Sequence, residues 1–127
     1  MTIKLGVNID HIATLRNARG ENHPDLYFLA KKSIKYGADS ITIHLREDRR
    51  HIKDKDLKII SLNKSIPLNL EISSNISMIK FPIKYKPNYV CIVPEKRKEI
   101  TTEGGLNLRK NSSLIRKIIR KLKKKNI

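Results

Sequence analysis

The stretch SITIHLREDRRHIKDKDLKIISL, residues 40–62, decides the fold. Its first six residues form a short apolar run rich in β-branched side chains, the composition of a strand. The polar loop REDRRHIKD follows at 46–54, and a short helix is expected at 55–62. Outward from this unit, the same order of run, loop and helix occurs four times. Upstream, IKLGVNI at 3–9 is the first run, and DHIATLRNARGENH at 10–23 reads as its long loop. Pro24 then opens a helix at its first turn, where an absent N–H costs little. Leu26, Leu29, Ala30 and Ile34 mark one face of that helix, and Gly37 is its stop. Downstream, PLNLEI at 67–72 is the third run. Ile76, Ile79 and Ile83 follow at helix-like spacing, but Pro82 is expected to break or kink any helix there. The fourth run, YVCIV at 89–93, leads into PEKRKEITTEGGLNL. Leu114, Ile115, Ile118, Ile119 and Leu122 then make the apolar stripe of a last helix.

Strands alternating with helices imply parallel pairing through right-handed crossovers, an α/β class. The runs read as apolar on both faces, as parallel strands covered by helices do. No Gly/Ser linker and no second composition regime divides the chain, so residues 1–127 read as part of a single domain.

Hydrophobic residues are 39% and charged residues 31% of the 127, within the range of a soluble globular protein. The net charge of +16 needs a cause. Residues 109–127 hold nine Lys or Arg and no acid, about a third of the 28 basic residues. Lys, Ile and Asn together make 49 residues, and all three have A+T-rich codons, so genome composition accounts for much of the charge. Nucleic-acid binding through the basic tail is the disfavoured rival, while a positive field does favour encounter with phosphorylated substrates. Cys91 lies in an apolar run, where a buried thiol is expected and an internal disulfide is excluded. No run approaches a membrane span, and the start is too short in apolar residues for a signal peptide, so a cytoplasmic location is expected.

The informative residues stand at the ends of the runs. The first ends in Asn8, Asp10 and His11, the second in His44 and Arg46, and the third in Glu71. The fourth passes into Pro94, Glu95, Lys96 and Arg97. In a parallel barrel the strand carboxyl ends converge on one face, where active sites are built. His44 can exchange a proton near neutral pH. Glu71 sits inside an apolar strand, where desolvation suits a carboxyl to acid–base work; a buried carboxylate paired with an arginine would read the same. Arg19, Arg46, Arg49 and Arg50 have the fork that grips phosphate or carboxylate, although Arg49 and Arg50 stand beside Glu47 and Asp48 as a solvated loop would. TTEGG at 101–105 has hydroxyls and backbone amides for a phosphate, and a plain turn would look no different. His11, His44 and His51 do not fall at metal-ligand spacing, so no metal is expected.

Four segments carry a resemblance. GVNIDHIATLRNARG at 6–20, ITIHLREDRRHI at 41–52, LNLE at 68–71 and VPEKRKEITTEGGL at 93–106 resemble, in order and spacing, the pyridoxine 5′-phosphate synthase family. The resemblance implies four βα units of a TIM (β/α)8 barrel, an incomplete half-barrel equivalent to the amino-terminal half of the family enzyme. It implies an enzyme that condenses 3-amino-2-oxopropyl phosphate with 1-deoxy-D-xylulose 5-phosphate, without metal or organic cofactor, in a homo-oligomer that is typically an octamer. On the same ground, Asn8 and Arg19 would hold the amino-ketone phosphate. Asp10, His11, Arg46, His51 and Thr101 would hold the deoxyxylulose phosphate, and His44 and Glu71 would transfer protons. A further catalytic histidine and a glycine-rich phosphate site belong to the family's other half. The resemblance leaves two rivals: a non-catalytic remnant, and a basic binding protein that uses the carboxyl tail.

Overall fold

The computed structural model describes residues 3–96, 99 and 104–127. Four parallel strands pair in chain order in one open sheet: β1 (Gly6–Asn8), β2 (Ser40–His44), β3 (Leu68–Ser73) and β4 (Tyr89–Val93). Helices α1 (Asp10–Arg19) and α2 (Leu26–Lys35) connect β1 to β2, and α3 (Asp54–Leu62) connects β2 to β3. A 3₁₀ turn (Ile76–Ile79) runs into α4 (Lys80–Tyr85) before β4, and α5 (Ser112–Lys123) closes the chain. This is an open portion of a TIM barrel, four βα units wide.

The strands are two-faced, which corrects the expectation of apolar residues on both sides. Ile41, Ile43, Leu68, Leu70 and Ile72 point to the helices and are fully buried with Leu57, Ile60 and Ala30 in one core. The opposite face is polar. Asn8, Thr42, Asn69 and Tyr89 stand in one register row, and His44, Glu71 and Cys91 in the next. Asn69 donates to the Thr42 hydroxyl at 3.2 Å. Strand side chains alternate between faces, so a run such as LNLEI carries one apolar and one polar set. Cys91 falls on the polar face and is exposed, which overturns the buried thiol.

Residues 10–19 form a helix where a loop was expected. The Asp10 amide donates to the Asn8 side chain at 2.8 Å, turning the chain at the end of β1. Asp10 stands in the first turn and Arg16 and Arg19 in the last, matching the helix dipole, and Gly20 caps the end at φ 68°. Helix α2 starts at Leu26 with Asp25 as its cap, its side chain accepting from the Phe28 amide at 2.9 Å, so Pro24 lies just outside it. Gly37 ends the α2 turn as expected, at φ 104°. Pro82 does not prevent a helix. Helix α4 begins at Lys80, so Pro82 occupies its first turn, where its absent N–H breaks nothing. Ile118 and Leu122 of α5 pack with Ile79, Ile83, Val90 and Ile92, while Ile119 is exposed.

Candidate active site at the strand ends

At the carboxyl ends of the strands, one cluster joins residues from all four units. It starts at Asp10, which is buried directly after β1. One oxygen accepts the His44 backbone N–H at 2.8 Å, and the other accepts the Asn8 side-chain amide at 3.1 Å. His51 Nδ1 lies 3.9 Å from Asp10 and accepts the Ile52 amide at 2.9 Å. Burial pushes the Asp10 carboxyl upward against the pull of these donors, and it pushes His51 downward.

His44 ends β2 with its side chain only 4% exposed. Its ring lies between two carboxylates: Nε2 is 3.2 Å from Glu95, and Nδ1 is 4.0 Å from Glu71. Burial, then the charges of Arg46 and His51, lower its pKa to about 4, so the ring is neutral at pH 7. Glu71, on β3, is half-buried on the polar face, and burial and then the Asp10 charge raise its pKa. Its described ionic contact is His44 and not an arginine, which sets aside the reading of a carboxylate buried for an ion pair.

Arg46 is the most deeply buried cation among the described residues, at 1% exposure. It donates to the Lys96 carbonyl at 3.0 Å, while its Nε makes no hydrogen bond among the described residues and lies 3.5 Å from the Asp48 carboxylate. The loop beyond it is tied down by ion pairs. Arg50 lies 2.7 Å from Asp48 and Arg49 lies 2.8 Å from Asp54, so this pair of arginines is engaged as the solvated-loop alternative expected. His11 follows Asp10 on α1 and is exposed. Arg19, exposed in the last turn of α1, is paired with Glu21 at 3.2 Å. Thr101 and most of TTEGG lie outside the described residues.

Two supporting groups were assigned no role from the sequence. Glu95 reaches from beyond β4 to His44 and accepts the Glu47 amide at 2.9 Å. Arg16, buried on α1, binds Asp56 of α3 through two nitrogens at 2.7 and 2.9 Å. It also donates to the Asn17 side-chain Oδ1, and the Asn17 side-chain Nδ2 donates to the His51 backbone carbonyl at 2.8 Å. The Glu95 signal was present, a carboxylate just past a strand end, but nothing in the spacing pointed it at His44. Arg16–Asp56 spans 40 positions between two helices, and only the packing reveals it.

Comparison with known proteins agrees with this architecture. The family model for pyridoxal phosphate biosynthesis protein PdxJ matches residues 5–127. The chain is 60% identical over 124 residues to the pyridoxine 5′-phosphate synthase of Pelagibacter ubique, covering 98% of this chain and 52% of that protein. It is 52% identical over 124 residues to the synthase of Bdellovibrio bacteriovorus, covering 96% of this chain and 52% of that protein. With the synthase of Wolbachia pipientis it shares 58% identity over 106 residues, covering 84% of this chain and 45% of that protein. The chain thus spans about half the length of the curated relatives it matches. Among the described residues, no helix is long and apolar enough to cross a membrane. On the family match across nearly its whole length and on these identities, the chain belongs to the PdxJ family, the pyridoxine 5′-phosphate synthases.

Proposed function

We propose that this chain supplies the amino-terminal half of a pyridoxine 5′-phosphate synthase barrel, a single domain of which residues 1–127 are one part. It carries one catalytic cluster and is inactive alone. The observation that carries this reading is His44, a neutral imidazole set between two carboxylates at the strand ends. Condensing an amino-ketone phosphate with a ketose phosphate requires carbinolamine formation, loss of water to the imine, release of one inorganic phosphate, a further dehydration and ring closure. Each step moves a proton at carbon, nitrogen or oxygen, and a neutral imidazole beside a carboxyl of raised pKa can both take and return one. His44 and Glu71 are assigned that work.

The remaining roles follow the family. Asn8 and Arg19 bind 3-amino-2-oxopropyl phosphate, while Asp10, His11, Arg46, His51 and Thr101 bind 1-deoxy-D-xylulose 5-phosphate. Arg46, buried at the strand ends with its Nε 3.5 Å from Asp48 and hydrogen-bonded to no described residue, offers a guanidinium to a phosphate at this position. No organic cofactor or metal enters the scheme. The assembled enzyme is a cytoplasmic homo-oligomer of the family's octameric type.

The test is reconstitution. The 127-residue chain, co-expressed with the carboxyl-terminal half of the Pelagibacter synthase, is assayed for pyridoxine 5′-phosphate with both substrates. Product from the pair and none from either half alone is expected. Failure of the soluble, associated pair to turn over would sink the reading in favour of a non-catalytic remnant.

A further inference from the structure

Beyond the residues that the family reading assigns, one carboxylate faces the proposed base from behind. We propose that Glu95 is a positioning residue that fixes His44 as its Nε2–H tautomer and turns the Nδ1 lone pair toward Glu71 and the open face of the sheet. The inference deepens the proposed function and rests on it for its catalytic consequence, but not for the tautomer itself.

The geometry gives each atom one task. Glu95 stands two residues beyond β4, after Pro94, and its side chain is 7% exposed. Oε1 accepts the Glu47 backbone N–H at 2.9 Å. Because that amide can only donate, it orients the carboxylate and leaves Oε2 facing His44 Nε2 at 3.2 Å. A neutral imidazole carries one N–H, and the nitrogen facing a carboxylate oxygen is the one that keeps it. Nδ1 is then the acceptor. It lies 4.0 Å from Glu71, too far for a direct hydrogen bond, which leaves a proton position between them for a substrate group.

Other contacts make this arrangement rigid. The His44 main chain is held by Asp10 at 2.8 Å, so ring and backbone are pinned from opposite sides. Glu47, whose amide orients Glu95, is itself fixed at the end of β3, accepting from the Ser73 hydroxyl at 2.6 Å and the Asn75 amide at 3.1 Å. The two carboxylates beside the ring are thereby distinguished. Glu71 lies on the open polar face, where substrate would enter. Glu95 is buried behind the ring and anchored to main chain. Burial keeps the imidazole neutral, so the contact is a hydrogen bond that selects a tautomer and not an ion pair.

The experiment reads the ring nitrogens of His44 directly, by long-range ¹H–¹⁵N correlation on the ¹⁵N-labelled 127-residue chain at pH 7. The wild type is expected to show a protonated Nε2 and a bare Nδ1. In Glu95→Gln, the amide oxygen keeps the Glu47 N–H and the NH₂ group meets Nε2, so the tautomer is expected to switch to Nδ1–H. In Glu95→Ala, both forms are expected, with a displaced Glu47 amide resonance. An unchanged Glu47 amide in Glu95→Gln shows that the fold is intact. A wild-type ring protonated at Nδ1, or an unchanged tautomer in both variants, overturns the proposal. In the reconstituted barrel, Glu95→Gln is expected to lower kcat by about 10²-fold or more with little change in KM. Absence of turnover in the wild-type pair would count against the proposed function alone, since the spectra decide the tautomer without it.

Discussion

His44 and Glu71 show how a pair of residues acquires a chemistry that neither has in water. Burial holds the imidazole neutral, with a lone pair able to accept a proton, and raises the carboxyl toward neutral pH. Glu71→Gln, in the barrel completed by a relative's carboxyl-terminal half, is expected to lower turnover by about 10²–10⁴-fold while leaving the fold intact. A variant that retains near wild-type turnover removes Glu71 from the chemistry. The His44 ring is expected to titrate near pH 4 by NMR, where an ordinary histidine titrates near 6.5. Because the folded pKa is the lower one, the unfolded chain binds the extra proton between these values. The contribution of His44 to stability is therefore complete above pH 6.5 and is lost as pH falls toward 4. The margin in urea midpoint between wild type and His44→Gln should shrink over that window, and a ring midpoint at or above 6.5 would refute the assignment. Asn8, Asp10, His44, Arg46 and Glu71 were legible in the sequence because strand ends converge in a barrel, whereas His51 entered through the resemblance alone. What no spacing rule supplied was direction: which carboxylate meets which ring nitrogen depends on the loops between residues 44 and 95.

At the level of the elements, the buried pair Arg16–Asp56 ties α1 to α3 beneath this cluster. Both side chains are buried, and Asp56 Oδ2 also accepts the Lys53 amide at 2.8 Å, starting α3. Asp56→Ala would leave the guanidinium buried without its partner and should cost about 3–5 kcal/mol, read from the urea midpoint. A loss below about 1 kcal/mol would place the strength of this contact elsewhere. Helix α5 behaves oppositely. Its apolar face is buried, whereas Lys121, Lys123, Lys124 and Lys125 are exposed and have no ion pair among the described residues. Neutralising these four should change the KM for either phosphate less than about twofold at physiological salt, because barrel sites lie at the strand ends. A persistent large rise would bring this helix into the site. Strands β2 to β4 and helices α2, α3 and α5 were legible because β-branched runs and a 3.6-residue stripe announce them. Helix α1 was not, since Asp10, Arg16 and Asn17 bury polar groups on its inner face and blur the stripe. The two-faced strands were missed for a related reason: the Asn, Thr and Glu that interrupt the runs are the polar face itself.

For the whole molecule, the decisive fact is an open sheet. Four parallel strands cannot close a barrel, and among the described residues β1 and β4 each leave one edge of backbone donors and acceptors without a strand partner. Beside β1, an apolar surface is uncovered, formed by Leu5, Val7, Ile12, Phe28 and Leu29 with the ring of Tyr36. The inner face of the sheet is polar, so it is the edges and this outer patch, and not the sheet interior, that favour association. Two copies related by a two-fold axis along the barrel would set β4 of one beside β1 of the other at both seams and satisfy both edges together. Opposing this, each copy carries +16, which repels its like at low ionic strength. The 127-residue chain alone is therefore expected to associate, with a dimer fraction that rises with salt, and to make no pyridoxine 5′-phosphate. Such a dimer would hold His44 and Glu71 twice, without the histidine and glycine-rich phosphate loop that the family's other half brings. Light scattering across a salt series, run beside a product assay with both substrates, decides it. A monomer at all salt concentrations would show that the open edges are tolerated. A monomer that also makes product would show that four βα units suffice for the chemistry, and the proposed division of the site between two halves would fall.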